Sequence, residues 1–175
     1  MVEFSRYWCM PNADTLQMQP AANTVRKYIT PGSVVVDPFA RNCRIGTITN
    51  DLNPNTSAQY HMDAVEFISM IADRGDLADV VIFDPPYSPR QVAECYSEIG
   101  MKATMQDTQT ARLKRLCRSQ IARILKPGGV CVSFGWNTVG MGHGFETVEI
   151  VLMCHGGDHN DTIITVDRAM QTWLF

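Results

Sequence analysis

The chain has 175 residues, of which 45% are hydrophobic and 19% charged, and its formal net charge is −3 at pH 7. This composition supports a buried core in one domain and excludes a disordered chain. No run approaches the roughly 18 uncharged apolar residues of a membrane-spanning helix, and the acidic balance excludes a protein that holds nucleic acid by overall charge.

Predicted strands and helices alternate along the chain. Helices are predicted at 19–29, 55–60, 65–73, 90–96 and 110–125, and short buried strands at 34–36, 46–50, 79–83 and 130–134. The strand-like runs at 145–154 and 161–168 are joined by a glycine-containing turn, which predicts an antiparallel hairpin at one end of the sheet. This alternation predicts an α/β fold with a mostly parallel central sheet flanked by helices, in one domain over residues 1–175.

Acidic residues follow the predicted strands at Asp37, Asp51 and Asp84. Because ligands of open α/β sheets bind beyond the carboxyl ends of the strands, we expect these acids on one ligand-binding edge. An aspartate at such a strand end can accept hydrogen bonds from both hydroxyls of a ribose, and Asp51 suits that role. Asp63 either contacts an adenine amino group or caps the helix that follows it, and the pattern leaves both alternatives open.

The most informative motif is Asp84-Pro85-Pro86-Tyr87, directly after the predicted strand at 79–83. The two prolines lack backbone N–H groups and restrain the chain, so carbonyl oxygens stay free to accept hydrogen bonds beside a fixed aromatic ring. The exocyclic amine of adenine or cytosine needs acceptors for its two N–H groups and a ring on which the base stacks. Asp84 and Tyr87 meet both needs, while a strand-to-turn junction with a surface tyrosine is the structural alternative.

Together these motifs resemble the S-adenosylmethionine-dependent amino-methyltransferases of DNA, most closely the adenine-N6 group, in which DPPY is the catalytic motif. Further segments are similar to that family in kind and order: Thr15 to Pro20 before a helix, Asp37-Pro38-Phe39-Ala40 after a strand, Asp51-Leu52, Asp63-Ala64, and Leu125 to Gly129. The resemblance runs from residue 15 to residue 129 and implies a Rossmann-like class I methyltransferase fold.

The resemblance also implies an activity: transfer of a methyl group from S-adenosylmethionine to N6 of adenine in double-stranded DNA, by direct displacement on a flipped base. The implied catalytic residues are Asp84, Pro85, Pro86 and Tyr87. The implied cofactor-binding residues are Asn12, Ala13, Thr15, Asp37, Pro38, Phe39, Ala40, Asp51, Leu52, Asp63, Ala64 and Asp84. Substrate contacts are expected from Tyr87, Ser88 and Arg90.

No metal is implied, because the six cysteines stand singly, without metal-ligand spacing. We expect a soluble protein with no membrane partner, in the cytoplasm of a prokaryotic cell or a phage-infected host.

Two departures from the family pattern keep other hypotheses open. Arg41 and Cys43 stand in the loop where the family has glycines, so a silent module that binds cofactor or nucleic acid without chemistry is an alternative. No stretch is long enough for a separate target-recognition domain, which suggests a second subunit in a homodimer or hetero-oligomer. Within the enzyme class, N4 of cytosine in DNA and adenine in RNA are alternative acceptors.

Overall fold

The computed structural model describes residues 1–170. In chain order the elements are β1 (Glu3–Trp8), a short 3-10 helix (Thr15–Gln17), α1 (Gln19–Arg26), β2 (Val35–Asp37), β3 (Ile48–Thr49), α2 (Ala64–Arg74), β4 (Ala78–Phe83), α3 (Pro89–Glu98), α4 (Thr110–Ile124), β5 (Leu125–Gly135), β6 (Phe145–Cys154) and β7 (Thr162–Ala169). None of these helices is both long and apolar enough to cross a membrane. The domain predicted over 1–175 extends into residues 171–175, which lie outside the described range.

The strands form one seven-stranded sheet in the order β1-β6-β7-β5-β4-β2-β3. β7 runs antiparallel to its neighbours β5 and β6, and every other neighbouring pair is parallel. The predicted α/β fold, with its mostly parallel sheet and its antiparallel hairpin, is therefore confirmed. Because β2 and β4 are parallel neighbours, the acids that end or follow them lie at the same edge of the sheet.

Side chains of the central strands alternate between two buried layers, as the pleat of a strand requires. On one face, Val80 and Ile82 pack in a cluster with Ala21 and Val25 of α1. On the other face, Val81 belongs to a cluster built mainly with residues of α2 and α4. Both faces of the central strands are thus covered, which explains the consecutive apolar residues Val35 and Val36 in β2 and Val80 to Phe83 in β4.

The helix predicted at 55–60 is wrong. The side chain of Asn53 accepts a hydrogen bond from the backbone N–H of Asn55 (2.9 Å), and the side chain of Asn42 accepts one from the N–H of Ser57 (3.0 Å). Tyr60 instead forms an isolated bridge with Asn50. Asparagine side chains that satisfy nearby backbone groups compete with helix formation, and here they hold this segment as a series of turns.

The sheet also has a strand that the sequence pattern did not reveal. β1 pairs in parallel with β6, so the hairpin is not at the end of the sheet as predicted. Only Ser5 within β1 is partly buried, so the strand has no apolar face from which to predict it. β1 is fastened by Lys27, which pairs with Glu3 at 2.8 Å and with the buried Glu149 of β6 at 3.1 Å.

Candidate active site

Asp84 follows the last residue of β4 and lies half-buried at the carboxyl edge of the sheet. One of its carboxylate oxygens accepts a hydrogen bond from the Tyr87 hydroxyl, and the Thr15 hydroxyl also bonds to this carboxylate. Burial raises the pKa of Asp84, while the two hydroxyls and the nearby Arg41 guanidinium act in the opposite direction. Asp84 is therefore a carboxyl group with raised proton affinity, held by two hydroxyl donors.

Tyr87 is fixed from three directions. Its backbone N–H donates to Oε1 of Gln91 (2.7 Å), its hydroxyl donates to Asp84, and its ring packs edge-to-face on Trp136 with centroids 5.7 Å apart. Ser88 begins α3 by accepting a hydrogen bond from the Gln91 backbone, and the Gln91 side chain completes a capping box. The first turn of α3 thus determines where the DPPY tyrosine lies.

Trp136 supports Tyr87, a contact that was not predicted from the sequence. It follows β5, the neighbour of β4, and its side chain remains 44% exposed although its ring touches Tyr87. An aromatic residue just after a central strand was the available signal, but its contact with Tyr87 depends on the pairing of β4 with β5.

Asp37 ends β2 and is 1% exposed. Its Oδ1 accepts a hydrogen bond from the backbone N–H of Phe39 (3.0 Å), which turns the chain into the loop after the strand. Burial, together with the charges of Asp84 and Asp51, raises the pKa of Asp37 to about 8. This carboxyl group therefore supports the loop and carries a proton more readily than an ordinary aspartate.

Asp51 lies between the loop after β2 and the turns that follow β3. Its Oδ2 accepts from the backbone N–H of Arg41 (3.0 Å), and its Oδ1 accepts from that of Asn53 (2.8 Å). Each carboxylate oxygen can accept a second hydrogen bond, so Asp51 retains capacity for the hydroxyls of a ribose.

The loop after β2 contains one left-handed residue that is not glycine, Arg41 with φ +49°. This conformation costs roughly 1–2 kcal/mol for a residue with a Cβ atom. The glycine that packing requires is Gly46, where an added Cβ atom would lie 2.8 Å from Cγ2 of Thr49 and 3.0 Å from Cβ of Asp37. Of the two residues expected at glycine positions, Arg41 and Cys43, Arg41 is the one with a positive φ.

Asp63 is the N-cap of α2. Its Oδ1 accepts hydrogen bonds from the backbone N–H groups of Val65 (2.8 Å) and Glu66 (3.2 Å). Asp63 also lines a cavity, so the cap and the predicted contact with an adenine are compatible in space.

A cleft with two compartments runs along this edge of the sheet. The larger compartment has a volume of about 490 Å³ and the smaller about 290 Å³. The following residues line both compartments and join them: Phe39, Arg41, Asp51, Pro86, Cys95 and Glu98. Such volumes are typical of small-molecule sites.

The cleft brings most of the predicted site residues together. The larger compartment is lined by Ala13, Thr15, Asp37, Phe39, Ala40, Asp51, Asp84, Pro85, Pro86 and Tyr87. The smaller compartment is lined by Pro38, Phe39, Asp51, Leu52, Asp63, Ala64 and Pro86. Helices α3 and α4 complete the smaller compartment with residues that were not predicted: Val92, Cys95, Tyr96, Glu98, Arg112, Leu113 and Leu116.

Three predicted residues do not line this cleft. Asn12 accepts a hydrogen bond from the backbone N–H of Asp14 (2.9 Å), and Ser88 caps α3. Arg90 pairs with Glu94 at 2.8 Å and its side chain is 88% exposed, so it lies on the outer surface of α3. Within residues 1–170, no group of three or more His, Cys, Asp or Glu side chains is arranged to hold a metal ion.

No family model matches the chain, and no curated protein matches it. Solved structures do match. SMU.776, determined in complex with SAH, has a TM-score of 0.60 at 12% identity, over 91% of this chain and 50% of SMU.776. NSun6 from Pyrococcus horikoshii, determined with SFG, has a TM-score of 0.59 at 16% identity, over 86% of this chain and 52% of NSun6.

A third match is the N-methyltransferase NodS from Bradyrhizobium japonicum, with a TM-score of 0.56 at 12% identity, over 87% of this chain and 96% of NodS. The chain thus spans about half the length of SMU.776 and NSun6 and nearly all of NodS. These likenesses show the fold, which is that of the class I methyltransferases.

Proposed function

We propose that this chain is an S-adenosylmethionine-dependent methyltransferase that acts on the exocyclic amine of a nucleic-acid base, N6 of adenine in DNA. The observation that carries the proposal is the Asp84 carboxylate beside the Tyr87 ring, at the edge of a cleft in a class I methyltransferase fold. SAH in SMU.776 and SFG in NSun6, both of which are chemical relatives of S-adenosylmethionine, support the choice of cofactor.

The residues that line the cleft fit this cofactor. S-adenosylmethionine carries a cationic sulfonium and an ammonium group, and the larger compartment is lined by the carboxylates of Asp14, Asp37, Asp51, Asp84, Glu94 and Glu98. Asp51 would accept from the ribose hydroxyls, with Asp63 and Ala64 on the adenine side. When bound, the cofactor supplies an electrophilic methyl group.

The DPPY residues act on the other reactant, the amine of the base. The Tyr87 hydroxyl occupies one acceptor position of Asp84, and the carboxylate keeps further acceptor positions for the incoming amine. The Asp84 carboxylate then orients the amine and accepts its proton, for which the raised pKa of this group is favourable. Tyr87 stacks on the base, which must leave a duplex to reach the cleft, at a cost of a few kcal/mol.

Transfer of labelled methyl to unmethylated DNA and to RNA, followed by mass analysis of nucleosides, tests the proposal. We expect label in N6-methyladenine from DNA. Label in N4-methylcytosine, or in RNA alone, would overturn the assigned acceptor. Binding of cofactor without transfer to either nucleic acid would favour the silent binding module.

Replacing Asp84 by Ala tests the role of its carboxylate. We expect a loss of transfer of about 100-fold or more, because the positioned proton acceptor is removed, and SAH affinity within a few-fold of the unaltered protein. Asp158→Ala, an exposed acid in the turn between β6 and β7, is the matched control and should retain full transfer. Near-normal transfer by Asp84→Ala would contradict the mechanism.

A further inference from the structure

Arg41 has an unusual place among the charged residues of the cleft. Of the described residues that line the larger compartment, Arg41 alone is a lysine or arginine, whereas Asp14, Asp37, Asp51, Asp84, Glu94 and Glu98 are acidic. Arg41 also lines the smaller compartment, so its side chain lies where the two compartments meet.

The guanidinium of Arg41 is held in the cleft by an ion pair and remains accessible to solvent. Its Nε lies 3.4 Å from Oδ1 of Asp14, the one ion-pair partner of Arg41 within residues 1–170, and the side chain is 48% exposed. Its positive charge acts on other side chains of the cleft, because it lowers the pKa of both Asp84 and Cys95. The group can therefore meet a ligand from the cleft while Asp14 orients it.

The backbone sets the direction from which Arg41 enters the cleft. The residue has φ +49°, and its N–H donates to Oδ2 of Asp51 at 3.0 Å. Glycine adopts this conformation at lower cost, but it would leave the larger compartment without a cationic side chain.

When an amino acid enters the larger compartment, its α-carboxylate comes close to the acidic side chains that line the compartment. Its ammonium is attracted by the lining, but its carboxylate is repelled unless a cation receives it. A guanidinium is the side chain best suited to this task, because its planar fork can donate two parallel hydrogen bonds to the two oxygens. Asp14, already beside Arg41, offers an acceptor for the neighbouring ammonium.

We propose that Arg41 binds the α-carboxylate of the methionine part of S-adenosylmethionine, beside Asp14, in place of the backbone contacts of a glycine-rich loop. The inference rests on the proposed function, since it takes the cofactor as given. It assigns a role to the residue by which this chain departs from the family pattern. The same guanidinium could receive another anion, a phosphate of the nucleic acid, and the experiment separates the two sources.

Two ligands distinguish the amino-acid end of the cofactor from the rest: SAH and 5′-methylthioadenosine, which keeps the adenosine and the thioether but lacks the amino acid. Calorimetric titration of both into Arg41→Met should show SAH affinity reduced by about tenfold or more, and 5′-methylthioadenosine affinity within about twofold. Arg44→Met, an exposed arginine of the same loop that lines neither compartment, should bind both ligands normally.

Arg41→Gly keeps the loop conformation without strain and removes the guanidinium, so it should lose SAH affinity to a similar extent. An unfolding curve for each variant separates this loss from misfolding. Equal losses for both ligands would overturn the proposal, because Arg41 would then act on the adenosine or on the cleft as a whole. Unchanged SAH affinity with weakened DNA binding would also overturn it and assign the guanidinium to a phosphate. If the unaltered protein binds neither ligand, the proposed function fails as well.

Discussion

At the scale of single residues, burial raises the pKa of two aspartates at the carboxyl edge of the sheet, Asp37 and Asp84. Asp37 and Asp84 lie close enough for the charge of Asp84 to raise the pKa of Asp37, and burial raises the pKa of both. Within residues 1–170, neither aspartate forms a salt bridge. A cationic ligand beside them would lower the pKa of both carboxyl groups.

The raised pKa of Asp37 predicts a pH dependence of stability. The carboxyl has a pKa of about 8 in the folded state and its ordinary value of 3.8 in the unfolded state, so between these values the folded state holds a proton that the unfolded state has released. This contribution to stability is complete below pH 3.8 and is lost as the pH rises through about 8. We expect the free energy of unfolding to fall by more than about 1 kcal/mol between pH 5 and pH 7.5, measured by urea denaturation.

Asp37→Asn checks the origin of that dependence. Asparagine keeps an acceptor for the Phe39 N–H but does not titrate, so the slope of stability against pH should flatten. Asp158→Asn, at an exposed position, should leave the slope unchanged. An identical slope in Asp37→Asn would show that another group causes it.

At the scale of elements, the N-terminal turns of α2 and α3 position side chains of the candidate site. The capping box of α3 fixes Tyr87 through Gln91, and the cap of α2 places Asp63 at the smaller compartment. Each cap satisfies backbone N–H groups of the first turn, which lack partners within the helix. Residues at this edge therefore have local structural roles beside any role in binding.

Asp63 offers a prediction that separates these two roles. Asp63→Ala should lower the free energy of unfolding by about 1 kcal/mol, whereas Asp63→Ser, which can still cap, should cost only a few tenths. Urea denaturation measures both changes. Asp73→Ala, an exposed acid in the last turn of α2, should have almost no effect. If Asp63→Ala and Asp63→Ser were equally destabilising, the cap would not be the cause.

At the scale of the whole molecule, stability is distributed unevenly across the sheet. β4 is almost fully buried and packs on both faces, whereas β1 is an edge strand with both faces largely exposed. β1 depends on its pairing with β6 and on the ion pairs of Lys27 with Glu3 and Glu149. β1, the outer strand on the side of the sheet away from the cleft, is therefore held less firmly than β4.

Native-state hydrogen exchange should reflect this difference. The amides of β1 should exchange through local opening, at least about 100-fold faster than those of β4 and the centre of β5, which should open only with global unfolding. Lys27→Met should accelerate exchange in β1 and leave β4 unchanged, because the contacts of the Lys27 ammonium, with Glu3, Tyr28 and Glu149, all lie near β1 and not near β4. Protection of β1 equal to that of β4 would contradict this picture.

Local sequence patterns were sufficient to predict the central strands, the main helices and their order along the chain. β-branched runs closed by proline or aspartate predict buried parallel strands, and the acids directly after them must lie near one edge. Together with the motifs of the family resemblance, this pattern predicted ten of the twenty residues that line the larger compartment.

Features that depend on contacts between distant segments required the tertiary structure. β1 has no buried face of its own, so only its pairing with β6 reveals it, and residues 55–60 form turns because asparagine side chains bond their backbone. Trp136 meets Tyr87 because β5 pairs with β4, and Arg41 becomes the cation of an acidic compartment only when four separate segments close around it. Sequence periodicity indicates which face of a strand or helix is buried. The neighbours of an exposed or polar side chain are determined instead by strand order and loop packing.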